Sequence, residues 1–151
     1  MGKLVKMMIG LPGSGKSTAV KNLVAKSGLR WDDDVVVCST DDFFVNERKE
    51  YHFDFRKLRE NHALNFQKYC LALADGVQLV IVDNTNILAE HREPYIRMAK
   101  ALGYKVECEV VGEFGEGACV DYAARNVHGV PLEGIQRMAR RVELPTSEEM
   151  A

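Results

Sequence analysis

A strong charge of either sign is missing from this chain. Twenty Lys and Arg face 22 Asp and Glu, a net charge of −2. Tight sequence-independent binding of nucleic acid relies on many phosphate contacts, so no broad basic field supports it, although a local basic patch stays open. Cysteine is scarce. Cys38, Cys70, Cys108 and Cys119 form no C-x-x-C pair, which argues against a disulfide framework or a zinc site. They read as reduced, mostly buried thiols of an intracellular protein. No apolar run approaches the roughly 20 residues of a membrane span. The first apolar run is too short for a signal peptide. Met1-Gly2 lacks a myristoylation context, because Lys6 stands where Ser or Thr is needed. Linkers, repeats and low-complexity segments are absent too. What remains is a soluble, cytoplasmic protein with no membrane partner. Its 151 residues, 46% hydrophobic and 28% charged, suit one domain over 1–144 with a flexible tail at 145–151.

Strand and helix patterns alternate along the chain. Strands are expected at Leu4–Ile9, Val35–Ser39, Val77–Val82 and Tyr104–Val111. The second is an unbroken β-branched run of the kind buried on both faces of a sheet. Helices are expected from Ser17 to about Lys26 and from about Phe55 to Asp75. Three more are expected: one ending at Gly103, one at about Gly117–Arg125, and one from Pro131 with Ile135, Met138 and Val142 on one face. Pro94 falls in the first turn of the third helix or bends it. The long second helix carries an apolar stripe of Phe55, Leu58, His62, Phe66, Tyr69 and Leu73, with His62 read as a hydrogen-bonded core histidine. The alternation predicts an α/β fold: a three-layer P-loop NTPase architecture with a parallel sheet of about four strands, flanking helices and a small helical lid.

Between the first strand and the first helix lie Gly10, Leu11, Pro12, Gly13, Ser14, Gly15, Lys16, Ser17 and Thr18, which fit G-x-x-x-x-G-K-[ST]. The glycines let backbone N–H groups turn inward as a nest for phosphate oxygens, and the helix N-terminus adds unpaired donors. Lys16 is expected on the β- and γ-phosphates of ATP, and Ser17 on Mg²⁺.

Ligands of parallel α/β sheets lie beyond the carboxyl ends of the strands. Two further polar clusters end strands there. Asp83, after Val77–Val82, is the second expected Mg²⁺-directed carboxylate. Asn84, Thr85 and Asn86 are expected to tie neighbouring loops by side-chain hydrogen bonds or to touch substrate. Asp41 and Asp42, after the second strand, can take a proton from an acceptor hydroxyl; Asp41 is the candidate base, with Asp42 the alternative. Arg125, in the connection of the last two helices, is the candidate lid arginine for charge on the transferring phosphate, and Arg137 a second. Arg140 and Arg141 read as a solvated helix face. Phe44, Tyr51 and Phe53 either stack on a base or cover the sheet. Arg48 and Lys49 are the nearest cations for an acceptor phosphate.

Ser39-Thr-Asp-Asp42, Val82-Asp-Asn-Thr-Asn86, Gly103-Tyr-Lys-Val106 and Arg125-Asn126 follow the loop in the order seen in the 5′-polynucleotide kinase branch of P-loop kinases. The chain resembles the phage polynucleotide kinase domain and, more closely, the kinase-like domain of the NEDD4-binding proteins, over about Lys3 to Glu143. The resemblance implies Lys16 and Ser17 on ATP and Mg²⁺, Asp41 as general base and a lid arginine near Arg125. Two positions differ from the phage enzyme: Phe44 stands where it has an acceptor-gripping arginine, and His128 where its lid has another basic residue. The resulting expectation is a cytoplasmic ATP- and Mg²⁺-dependent kinase acting on a nucleic-acid 5′-hydroxyl. A small-molecule kinase is the second reading, and a nucleotide-binding regulatory module the third.

Overall fold

The computed structural model describes residues 2–150. Four parallel strands form one sheet: β1 (Leu4–Ile9), β2 (Val35–Cys38), β3 (Leu79–Val82) and β4 (Lys105–Val110), in the order β2-β3-β1-β4. Parallel neighbours need crossovers. Helices α1 (Lys16–Ser27), α2 (Leu58–Ala74) and α3 (Ala89–Ala101) make them, and α4 (Glu116–Arg125), α5 (Leu132–Arg141) and the short α6 (Ser147–Met150) follow β4. Among the described residues no helix is long and apolar enough to cross a membrane.

The period-2 alternation of β1 separates two cores. Val5 and Met7 point to one face, where Val80, Val82 and Cys38 meet Tyr69 and Leu73 of α2 and Tyr95 and Ile96 of α3. Met8 points to the other, joining Leu79, Ile81 and Val35 under Val20 and Val24 of α1. A third cluster of Leu11, Ile87, Leu88, Cys119, Tyr122 and Ile135 seats α4 and α5 on the mouth of the sheet. This is the expected three-layer α/β fold with a helical lid.

Several boundaries shift for one physical reason. Gly76 and Gly103 take left-handed backbone at φ 74° and 81°, and the next amides turn back to close the preceding helices: Val77 N–H donates to Ala72 O and Tyr104 N–H to Ala99 O. Val77 and Tyr104 therefore cap helices, and their strands start later than expected. Pro94 lies inside α3 rather than in its first turn.

Strand β2 is a correction. Its β-branched run suggests burial on both faces, yet it is the sheet's edge and Val36 and Val37 are only half-buried. The edge is blunted because Lys68 Nζ, from α2, donates to Val37 O at 2.8 Å.

Helix α2 is a second correction. Its buried stripe is Asn61, Asn65, Tyr69, Ala72 and Leu73. Phe55 is 77% exposed, and His62 is exposed rather than in the core. Asparagines can occupy the inner face because backbone carbonyls meet them: Asn61 Nδ2 donates to Phe43 O and Asn65 Nδ2 to Cys38 O. The first half of α2 thus supports the end of β2 by hydrogen bonds.

The last residues differ most from expectation. Residues 143–150 are docked, not loose. Glu143 N–H donates to Ile87 O, Glu143 Oε1 accepts from the Ala89 amide at the start of α3, and Lys100 Nζ donates to Glu148 O. Arg92 is fully buried. Its Nε and Nη2 donate to the two carboxylate oxygens of Glu149 at 2.7 and 3.1 Å, and its Nη1 donates to Asn86 O at 2.7 Å. Removing one partner of a buried pair leaves an uncompensated charge, at a cost of about 3–5 kcal/mol. Helix α6 can undock and let water reach the guanidinium, so Glu149→Ala is expected near the lower end, about 3 kcal/mol. That lowers Tm by roughly 6–12 °C for a chain of this size. Calorimetry checks it, and an unchanged Tm would contradict a docked α6. The Arg92 hydrogen bonds hold the Glu149 carboxyl below its ordinary value of 4.5. Its contribution is therefore complete above that value and is lost as pH falls through the depressed folded-state value.

Candidate active site

The loop between β1 and α1 forms around what its neighbours allow. Gly13 takes φ +80°, and a Cβ there would lie 2.5 Å from Tyr122 O of α4. Only glycine permits this approach between loop and lid. Lys16, at the start of α1, folds back so that its Nζ donates to Gly10 O and Leu11 O at 3.1 Å each. Two of its three donors are thus held by neutral carbonyls, and one is left. Ser14 Oγ is buried without a partner. Gly15, Ser17 and Thr18 line the open side, and a Cβ on Gly15 would meet nothing within 4 Å. An orphaned hydroxyl, a spare ammonium donor and open space describe a cradle suited to anionic oxygens.

The turn after β3 stitches the strand ends together. Gly10 N–H donates to Thr85 O at 3.1 Å, Asn86 Nδ2 to Met8 O at 2.7 Å, and Asn84 Oδ1 accepts from Thr40 N–H at 2.9 Å. Asn86 adopts φ 50°, a left-handed conformation that asparagine tolerates. One four-residue turn therefore fixes the phosphate loop, β1 and the segment bearing Asp41. Asp83 itself lies at the mouth of β3, its amide bonded to Cys38 O.

Electrostatics bring the same residues together. Burial pushes the Asp83 carboxyl up from its ordinary value, and the Lys16 charge offsets part of that. Burial pushes the Lys16 ammonium down, opposed by Asp83 and then Asp41. Each needs the other to stay charged in a partly desolvated cleft. Ser17 and Asp83 are hard oxygen donors, and no group of three metal-binding His, Cys, Asp or Glu exists among the described residues. Too few for an all-protein cage, such a pair suits Mg²⁺, which keeps waters and takes the rest of its shell from substrate phosphates. The residues present fit the ion.

Asp41 sits in a 3-10 turn, Thr40–Phe44, half-exposed. Asp42 beside it is exposed. Thr40 Oγ1 bonds His62 Nδ1 at 3.2 Å, so the histidine braces this turn. Beyond it the chain folds back through a Val45–Tyr51 bridge. Phe44 is buried, stacking at 5.0 Å on the half-exposed Phe53 and at 6.2 Å on Tyr51. Arg48 and Lys49 lie at the exposed tip.

The lid closes over both sides. Arg125 Nε donates to Gly13 O at 2.7 Å, and its guanidinium lies 5.1 Å from the Tyr122 ring. Tyr122 OH in turn accepts from Glu113 N–H. His128 Nδ1 lies 3.3 Å from Asp41 Oδ2. Lys16, Asp83, Asp41 and Arg125 therefore gather at one mouth. Arg137, Arg140 and Arg141 stay on the exposed face of α5, and Arg48 and Lys49 do not reach the cluster. Sequence reasoning passes over Tyr122, the contact of His128 with Asp41 and the Arg92–Glu149 pair. A signal was present only for His128, as a basic residue in the lid.

A family model described as an AAA domain matches residues 5–145. NEDD4-binding protein 2 of Homo sapiens is 33% identical over 138 residues, 91% of this chain. The chain spans about 8% of that relative's length. Among solved structures, the Pnkp1/Rnl/Hen1 RNA repair complex contains a chain that superposes with TM-score 0.65 at 16% identity, covering 93% of this chain and 44% of that one. Kti12 of Chaetomium thermophilum in complex with ADP-AlF3 gives TM-score 0.65 at 17% identity, over 95% and 82%. At such identities the two structures speak for the fold.

Proposed function

Since the chain belongs to the AAA-domain family and has the P-loop kinase fold, we propose that it moves the γ-phosphate of ATP to an acceptor hydroxyl, and that the acceptor is the 5′-hydroxyl of a nucleic acid. The observation that carries the reading is the meeting of a carboxylate, Asp41, with the phosphate loop under one lid. An acceptor hydroxyl must give up its proton as it attacks, and Asp41 is the carboxylate placed to take it. In the reaction, the acceptor oxygen forms a bond to Pγ, the bond from Pγ to the ADP oxygen breaks, and the hydroxyl proton passes to Asp41. The cradle of residues 10–18 binds the triphosphate. Lys16 carries charge to the transferring group, as does Arg125 once it leaves Gly13 O. Ser17 and Asp83 would hold Mg²⁺, and the ion would supply charge neutralisation to the transferring phosphate.

Nucleic acid is favoured by the motifs that resemble the 5′-polynucleotide kinase branch, and by the fold shared with a chain of an RNA repair complex. Phe53, half-exposed where it rests on Phe44, offers a stacking face. One observation favours a small-molecule acceptor instead. Phe44, at the position where a phosphate-gripping arginine is expected, is buried and gives an acceptor phosphate no partner.

The test is label transfer from γ-labelled ATP with Mg²⁺ to 5′-hydroxyl DNA and RNA oligonucleotides and to a panel of nucleosides and sugars. Labelled oligonucleotide is the expected result. Label confined to a small molecule replaces the acceptor assignment, and bound ATP with no transfer to anything overturns the kinase reading in favour of a nucleotide-binding module.

A further inference from the structure

We propose that His128 and Tyr51 are positioning residues for Asp41, holding its carboxylate in the orientation that receives the acceptor proton. The inference rests on the kinase reading above. Its ground is that two different elements reach the two oxygens of one carboxylate. Tyr51 OH donates to Oδ1 at 3.5 Å, a long contact, and His128 Nδ1 faces Oδ2 at 3.3 Å. The two rings also rest on each other, centroids 4.3 Å apart and planes tilted by 36°. Asp41, His128 and Tyr51 therefore form a closed set of three contacts. To donate, His128 carries its proton on Nδ1, a tautomer assigned from this partner.

Each donor is delivered by a stiff support. The lid turn 126–130 is braced from within by Asn126. Its Nδ2 donates to Tyr122 O, Ala123 O and Val130 O, and its Oδ1 accepts from Val130 N–H at 2.9 Å. Tyr51 is fixed by its bridge to Val45, by the His52 amide bonded to Phe44 O at 2.6 Å, and by its ring against Phe44. Tyr51 makes the one side-chain hydrogen bond to Asp41 among the described residues, and His128 Nδ1 stands at ion-pair distance from the other oxygen, so these two set its rotamer. A base a fraction of an ångström out of place loses much of its effect.

Holding the carboxylate does not block it. An ionised carboxylate offers about four lone-pair sites. Two are used, and two remain for an acceptor hydroxyl. During transfer the proton goes from that hydroxyl to Asp41, while His128 and Tyr51 keep theirs.

The experiment measures steady-state transfer from ATP to a short 5′-hydroxyl oligothymidylate by the full chain. His128→Ala is expected to lower kcat about tenfold through misorientation of the base, with KM for ATP within about twofold. His128→Asn, whose amide N–H occupies the Nδ1 position, is expected to recover most of the loss. Added to Asp41→Asn, His128→Ala is expected to cost nothing more, because the group it orients no longer takes a proton. Equal losses in the alanine and asparagine variants, or full additivity with Asp41→Asn, overturn the proposal. Amide hydrogen exchange tests the contact without activity. Exchange of residues 126–130 is expected to quicken in Asp41→Ala and in His128→Ala but not in Arg140→Ala. Unchanged exchange in Asp41→Ala overturns the proposal even in an active enzyme. A wild type that labels no acceptor, with exchange quickened as expected, keeps the contact and sinks the kinase reading alone.

Discussion

Asp41→Asn is expected to slow phosphoryl transfer by about 10²- to 10⁴-fold, the range a positioned general base contributes, with ATP affinity within about twofold of wild type. Asparagine keeps the volume of the side chain and an oxygen for Tyr51, but its amide cannot take the hydroxyl proton. Asp41 also makes no hydrogen bond to Lys16; it acts there only as a distant charge, ranked below burial and below Asp83. Nucleotide binding therefore loses little. Single-turnover transfer, beside equilibrium binding of a non-hydrolysable ATP analogue, separates the two quantities. The parallel Asp42→Asn variant decides which carboxylate is the base. Asp42 is exposed and has no side-chain partner among the described residues, so its loss is expected to stay within about threefold of wild type, far below the range of a positioned base. The reverse pattern would move the role to Asp42.

Lys16→Ala is expected to lower kcat/KM for ATP by about 10²- to 10³-fold, comparable with removing one preorganised donor from an active site. In the structure its ammonium rests on the carbonyls of Gly10 and Leu11. Exchanging neutral acceptors for phosphate oxygens converts ordinary hydrogen bonds into charge-assisted ones, worth about 1.5–3 kcal/mol. The exchange happens in a cleft where burial has already lowered the ammonium's pKa, so an anionic partner restores a charge that burial disfavours. A second consequence falls on Asp83, whose carboxyl is raised by burial and brought back mainly by Lys16. Without Lys16 that carboxyl rises further and takes up a proton at higher pH. Transfer in the variant is therefore expected to need more Mg²⁺, increasingly so as pH falls. Titration calorimetry and a Mg²⁺ titration at two pH values check both. Unaltered ATP affinity in Lys16→Ala would remove the site from this loop.

The parts of the fold legible in the sequence are those with a short-range cause. Leu4–Ile9, the glycine loop and α1 form one contiguous unit, and its geometry follows from period and glycine placement. Strand order is not legible, because pairing β1 with both β3 and β4 is decided by distant segments. The α2 stripe shows how hydrophobicity misleads. A polar side chain can be buried where a backbone carbonyl accepts from it, even though Asn65 Oδ1 is left without a partner. Phe43 O and Cys38 O provide that for Asn61 and Asn65, whereas Phe55, an apolar position of the expected stripe, faces solvent. Arg92 is similar: a guanidinium is enclosed because a carboxylate 57 positions further on supplies both its oxygens. In the site, strand ends that stop in Asp or in Gly-Lys-Ser announce themselves, as Asp41, Asp83 and Lys16 do. The Tyr51, His128 and Asp41 contacts join three remote segments, and no local pattern encodes them.

The brace on Asn126 bears on traffic through the site. Arg125 and His128 are three positions apart, one just before that stiff turn and the other within it. One rests on Gly13 and the other on Asp41. The Arg125 side chain can leave Gly13 O by rotation alone, but the backbone of the turn, touching both sides, is expected to lift from both together. In the kinase reading, nucleotide and acceptor are therefore expected to share a single gate, so that passage of one exposes the berth of the other to solvent.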